Sequence, residues 1–192
     1  MKKKMYSRVI VSGIIINTEL NSDIIGITRP VAEITIYDVV KQEWINNIYL
    51  IFSDNSSARR FRGFNVGMIL LVSGELIYYS NVGSAIYVKD YIILEKNKDK
   101  QSVNIQKVFY FDNIGVQNDV FIKGEVVYQN KEKEIISICH DIQGEIRGEL
   151  DKKSIQPVHV TNKIRDDAKD IVFIGRFSSN MLEGEMYETI SV

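Results

Sequence analysis

The chain has 192 residues, 45% of them apolar, and 24 Lys+Arg against 25 Asp+Glu leave a net charge of −1. Such a chain can bury a core, has room for one large domain or two small ones, and carries no overall cationic field announcing nucleic acid. One Cys and two His exclude an internal disulfide and any four-ligand zinc site that lacks several carboxylates. The apolar share is strongly skewed: 30 Ile and 19 Val stand against 8 Leu and 4 Ala. β-Branched side chains suit pleated strands, whereas Ala and Leu are the stronger helix formers, so a mainly helical protein is excluded. No apolar run approaches the ~20 residues that a membrane-spanning helix needs.

Lys2-Lys3-Lys4 precedes Val9–Ile16, a pattern that superficially mimics a secretory signal. Ser12 and Gly13 interrupt the apolar run, and Asn17, Thr18 and Glu19 follow in place of a small-residue cleavage site. The expectation is a basic tail leading into a first strand of a cytoplasmic protein, in which the sequon at Asn55-Ser56-Ser57 has no meaning. Strand-like runs then recur at Tyr6–Asn17, Val31–Val40, Trp44–Phe52, Met68–Tyr79 and Ala85–Leu94. Between the third and fourth, Ser56 caps and Gly63 ends a short predicted helix. Five strands with a short helix between the third and fourth is the plan of an OB-fold, a small Greek-key barrel.

The second half repeats that plan. Strands are predicted at Val120–Tyr128, Glu134–Ile142, Gly144–Leu150 (continued by Pro157–Val160), Ile171–Phe177 and Glu185–Val192, with Asn162–Asp170 as the helix. Val11-Ser12-Gly13 is echoed by Ile122-Lys123-Gly124, and Val72-Ser73-Gly74 by Phe173-Ile174-Gly175. A glycine inside a strand marks a bulge or sharp bend, which a small barrel needs in order to close. The expected fold class is therefore all-β, with two tandem OB-fold-like five-stranded barrels at 1–97 and 107–192. Each carries a short helix between its strands 3 and 4. The polar stretch Lys96–Gln106 is the expected boundary, and Lys107-Val108-Phe109-Tyr110-Phe111 is either an edge strand or a plug.

Several first-half features resemble the bacterial single-stranded-DNA-binding (SSB) family. Val31–Ile36 has the form of that family's second strand, and Glu43-Trp44 with the alternating run to Phe52 looks like its third. Gly67 and Gly74 match the spacing from the glycine after the helix to that in the fourth strand; Gly13 and Glu19-Leu20 fit the first strand and its turn. The resemblance covers about residues 6–95. It implies binding of single-stranded DNA with little sequence preference, in replication, recombination or repair, by a homo-oligomer that meets other replication or recombination proteins. Three departures stand out. Val39–Glu43 leaves almost none of the family's long basic hairpin, Asn65-Val66-Gly67 replaces its Lys-Lys-Gly, and a second barrel-like half stands where its tail would be. Some members carry two OB-folds in one chain. An OB-fold accessory protein that binds a protein partner, and an RNA-binding OB module, are the rival readings.

Sequence-tolerant single-strand binding needs aromatic faces for stacking and cations along the phosphate path. The resemblance places Trp44 and Tyr79 on the DNA face, although a lone Trp in a β protein is also a natural core residue. Phe52 is either core or platform, and Tyr37 lies at the rim. The candidate cations are Arg8, Arg29, Arg59, Arg60, Arg62 and Lys89; the bland alternative for the arginine cluster is a solvated helix face. Lys123, Arg147, Arg176, Tyr128 and Tyr187 either extend the path or belong to a partner surface. Alternation puts Asn46 and Ile48 on the face of Trp44, and Ile45, Asn47 and Tyr49 on the other. An enzyme is not expected. In Cys139-His140-Asp141, neighbouring strand residues point to opposite faces, so Cys139 and His140 read as a buried Cys beside a surface His. Asp166, Asp167 and Asp170 lack further ligands for a metal, no phosphate-cradling glycine loop is present, and no cofactor is expected.

Overall fold

The computed structural model describes residues 5–19, 30–52, 63–80, 82–95, 116–130, 132, 134–142, 153–163, 165, 167–179 and 181–189. The predicted helix at 56–63 (beyond Gly63), the strand at 144–150, the boundary at 96–106 and the aromatic run at 107–111 lie outside them. Among the described residues every regular element is a strand. These are β1 (Tyr6–Glu19), β2 (Val31–Asp38), β3 (Glu43–Phe52), β4 (Ile69–Tyr79) and β5 (Gly83–Glu95). They continue with β6 (Asn118–Asn130), β7 (Ile135–Asp141), β8 (Lys153–Val160), β9 (Asp170–Phe177) and β10 (Leu182–Glu188). The Ile/Val-rich runs thus become strands, as their χ1 stiffness favours.

The first five strands close a barrel. β1–β2, β2–β3, β5–β4 and β4–β1 pair antiparallel and β3–β5 pair parallel, the strand order of an OB-fold. The others pair β6–β7, β7–β8, β10–β9 and β9–β6 antiparallel and β8–β10 parallel. β1 and β6 pair antiparallel, with Val9 opposite Val120, and join all ten strands into one hydrogen-bonded sheet. One apolar core runs through both halves: Val9, Val11, Ile15, Leu50, Leu70 and Ile86 belong to the same buried cluster as Val120, Ile122, Ile138, Phe173 and Leu182. Full burial of each such side chain is worth about 1.5–3 kcal/mol. A smaller cluster on the outside of the first barrel gathers Val31, Ile51, Ile77, Ala85 and Tyr87 around Ile142, which follows β7.

The helix predicted at 162–170 is not seen among the described residues: Asn162 lies in a bend and Asp167 in a turn, Lys163, Arg165, Ala168 and Lys169 are irregular, and Asp170 opens β9. The segment has too few apolar residues to bury a helical face. Instead Asn162 latches onto β10, accepting the Met186 N–H at 2.8 Å and donating to its carbonyl at 2.7 Å.

Glycines allow the strands to approach where they bend. A Cβ on Gly74 would lie 2.3 Å from the Tyr87 carbonyl oxygen, and one on Gly175 would lie 2.4 Å from that of Glu183. The strand-one pair repeats this, Gly124 against Cys139 O at 2.4 Å and Gly13 against Thr35 O at 2.9 Å.

His140 is fully buried, not at the surface as the sequence suggested, because both faces of β7 are covered. Its Nε2 has no hydrogen-bond partner, and Nδ1 lies 3.3 Å from the Asp141 carbonyl oxygen. Burial holds the imidazole pKa below its ordinary value.

Two predictions follow from these contacts. Gly74→Ala and Gly124→Ala should each destabilise the protein by about 1–3 kcal/mol in urea unfolding, because the added methyl meets backbone; Gly13→Ala should cost less. His140 should make stability sensitive to acid. Above the unfolded-state pKa of about 6.5 the ring is neutral in both states; below it the unfolded chain takes up a proton that the folded chain resists, so stability falls. The urea midpoint should drop between about pH 7.5 and pH 5.5, and drop less in His140→Gln.

Candidate nucleic-acid interface

The outer face of β2 and β3 is set by a bulge. Ile36 pairs with Ile45 and Ile34 with Ile48, so Asn46 and Asn47 together oppose the single residue Thr35. Asn47 takes a φ of +62°, a left-handed conformation that Asn tolerates better than most residues. The Thr35 hydroxyl lies 2.8 Å from Asn46 Oδ1, to which it donates, and 3.1 Å from the Ile45 carbonyl oxygen. The extra residue resets the alternation. Ile45 and Ile48 both enter the core, and Trp44, Asn46, Asn47 and Tyr49 are left outside it. The expected grouping of Ile48 with Trp44, and of Ile45 with Asn47 and Tyr49, is therefore corrected.

Trp44 is half-buried. Its ring lies against Tyr37 across the β2–β3 ladder, with centroids 5.1 Å apart and planes at 55°. Beneath it is a small satellite of Ile14 and Ile69, joined by Leu94 and Val116. The expected rim position of Tyr37 becomes a ring pair at one end of the face. Next along come Thr35 with Asn46 and Asn47, then Glu33 opposite Tyr49, and then Val31 and Ile51, which are buried in the outer cluster.

The other candidates separate. Phe52 is 2% exposed and packs in the core against Phe64 and Tyr91, so it presents no platform. Tyr79 is half-buried and packs on the outer cluster around Ile142, as Tyr49 does, and is not part of the Tyr37–Trp44 ring pair. Tyr78 is exposed, and its N–H donates to Ser154 Oγ at 3.0 Å. Lys89 lies 4.9 Å from the Tyr87 ring centroid and 3.6 Å from Glu75 Oε1. Arg8 is exposed on β1 opposite Phe121 of β6. Arg29, Arg59, Arg60 and Arg62 lie outside the described residues. In the second half, Tyr128 and Tyr187 are exposed and Lys123 half-buried, and Arg147 lies outside the described residues.

The turn between β2 and β3 joins the halves. Asp38 Oδ1 accepts the N–H groups of Val40 at 2.9 Å and Lys41 at 3.3 Å, the side-chain-capped turn that Asp favours. Its other oxygen, Oδ2, faces Arg176 Nε at 3.4 Å, and Asp38 is only 1% exposed. Lys41 donates to Ser178 Oγ at 2.7 Å and pairs with Glu183, holding that carboxyl below the usual range. Tyr37 and this turn border a cleft of about 520 Å³ whose other walls include Asp119, Arg176, Glu183 and Glu185.

Sequence reasoning missed Tyr49 and Asp38. The consecutive asparagines at 46 and 47 were the available sign of a bulge, and Asp followed by Val-Val-Lys the sign of a capped turn. Chemically, the β2–β3 face offers rings for stacking and amides for hydrogen bonding. Cys139 and His140 do not form a nucleophile–base pair: both are buried on adjacent strand positions, and burial pushes the thiol pKa up. Among the described residues no group of three or more His, Cys, Asp or Glu could hold a metal, and no helix is long and apolar enough to cross a membrane.

No family model matches the chain, and no curated protein does. Solved structures do. The wild-type single-stranded DNA binding protein from Thermus aquaticus aligns with a TM-score of 0.56 over 99% of this chain and 96% of that one, at 9% identity. A deletion mutant of the same protein aligns with a TM-score of 0.56 over 98% and 97%, also at 9% identity. At that identity the likeness is one of fold. It agrees with the SSB-like OB-fold resemblance read from residues 6–95 and extends it to nearly the full chain.

Proposed function

We propose that the protein binds single-stranded DNA with little sequence preference, without making or breaking bonds. The observation that carries this reading is the closed OB-order barrel presenting the Tyr37–Trp44 ring pair on the outer face of β2 and β3, in a chain that shares its fold with an SSB from end to end. OB-folds bind single strands by stacking bases on aromatic rings beside a cationic path. Tyr49, beyond the bulge, adds a third ring on that face.

On this reading residues 1–97 and 107–192 are two OB-like barrels. Support comes from the repeated strand pairing and from matched glycines: Gly13 and Gly124 sit under second-strand carbonyls, and Gly74 and Gly175 under fifth-strand carbonyls. The first barrel supplies most of the affinity. Arg8, with Arg29, Arg59, Arg60 and Arg62, supplies the phosphate path. The role is in replication, recombination or repair, as a cytoplasmic homo-oligomer working with proteins of those processes.

Fluorescence titration with dT oligomers should show tighter binding than to duplex DNA. Salt should weaken it with a log–log slope of about −0.7 per phosphate neutralised. Absence of binding at low salt would favour a protein-binding accessory role. Trp44→Ala should weaken dT binding by about 1–3 kcal/mol, the range for one stacked base. Its melting temperature should fall only modestly, because the half-buried indole sits over a small satellite and not in the main core. Bound dT should quench the emission of Trp44, the protein's single tryptophan.

A further inference from the structure

A second cleft, of about 290 Å³, opens between the halves beside the β3 bulge. Asn46 and Asn47 form one wall; the β4–β5 hairpin contributes Tyr78 and Ser84, and the second half contributes Gln156 and Phe177. None of the described residues lining it is charged. Among the described residues it therefore offers no cation to a phosphate, in contrast to the neighbouring cleft with its carboxylates and Arg176.

Gln156 is the informative residue. It is fully buried and reaches across the junction, its Nε2 donating to Ser84 Oγ at 2.8 Å and to the Pro157 carbonyl at 2.9 Å. Its Oε1 has no hydrogen-bond partner, although it is buried. An orphaned buried acceptor is costly, and a ligand N–H would relieve that cost. Asn46 stands on the same cleft with its Oδ1 already taken by Thr35, so its amide N–H groups are what it presents. The cleft thus combines an unpartnered acceptor, amide donors and the exposed ring of Tyr78, backed by the buried Phe177, in a space without charged side chains among the described residues and smaller than a typical drug-sized pocket.

That combination matches one kind of ligand: a flat, neutral ring carrying both donors and acceptors on its edge. We propose that the cleft captures a single unpaired nucleobase from the bound strand and thereby gives the protein a base preference at one position. The inference rests on the single-strand-binding reading. Asn46 and Asn47 lie on β3 between Trp44 and Tyr49, so a strand crossing that face passes the mouth of the cleft.

The test compares dT, dC and dA oligomers of equal length on the full chain, in wild type, in Ser179→Phe and in Gln156→Leu. Ser179 is an exposed residue at the cleft, and a phenyl ring there should fill the space without entering the core. Gln156→Leu removes the open acceptor. The wild type should favour one oligomer by about five-fold or more, the discrimination expected from one or two hydrogen bonds. Ser179→Phe should erase most of that preference at an unchanged melting temperature, and Gln156→Leu should reduce it. Equal wild-type affinities, or a preference that survives both substitutions, would overturn the base site and leave the single-strand reading standing. If no oligomer binds the wild type, both fall together.

Discussion

The antiparallel pairing of β1 with β6 is the constraint on which the rest depends. β1 gives residues 6–11 to β6, 9–14 to β4 and 14–19 to β2. β6 divides itself the same way, with 118–123 to β1, 120–125 to β9 and 125–130 to β7. Each strand therefore serves three neighbours and must bend from one to the next. Gly13 and Gly124 lie where the hand-over occurs, and there a side chain would strike the incoming strand. Val9 and Val120 face each other at the centre of the seam, and both reach the common core. A joint made of backbone ladder and shared core fixes the relative orientation of the halves far more tightly than a linker does. It also covers strand edges that would otherwise be open to pairing with other chains.

The β2–β3 turn then takes on a structural duty. Asp38 both shapes the turn and meets Arg176, and Lys41 reaches Ser178 and Glu183. Asp38 is almost wholly desolvated and accepts two backbone N–H groups besides the guanidinium, so the pair is far better satisfied than an exposed ion pair of the same length. A turn held in this way cannot swing across a ligand. The pleated face and the clefts beside it are the surfaces on this side of the first barrel that the turn does not occupy.

Much of this was legible in the sequence. The excess of Ile and Val announced the strands, and the in-strand glycines announced where the sheet bends. Those signals are local, so they survive being read from one chain. The errors came from features that depend on a partner. The strand alternation at 44–49 failed because the bulge is defined by what β2 sets opposite it. Phe52 was ambiguous because an aromatic residue at a strand end belongs equally to core or surface until neighbouring strands are placed; Phe64 and Tyr91 decide it. His140 looked like a surface residue because nothing local says that both faces of β7 are covered. The helix expected at 162–170 was inferred from analogy with the first half, and its composition never supported one.

The bulge at Asn46-Asn47 also divides β3 into two segments of opposite parity. Before it, even-numbered residues face outward; after it, odd-numbered ones do. The second asparagine is thus the one residue of β3 that the ladder does not count. Taking out either asparagine would set a single residue opposite Thr35 and leave a regular ladder, with Ile45 and Ile48 still opposite Ile36 and Ile34 and the inward face of Ile48, Leu50 and Phe52 kept. Taking out a residue beyond the bulge, such as Tyr49, would instead turn the remainder of the strand over. The asparagine pair is therefore a place where the chain length can change by one while the core face stays in register.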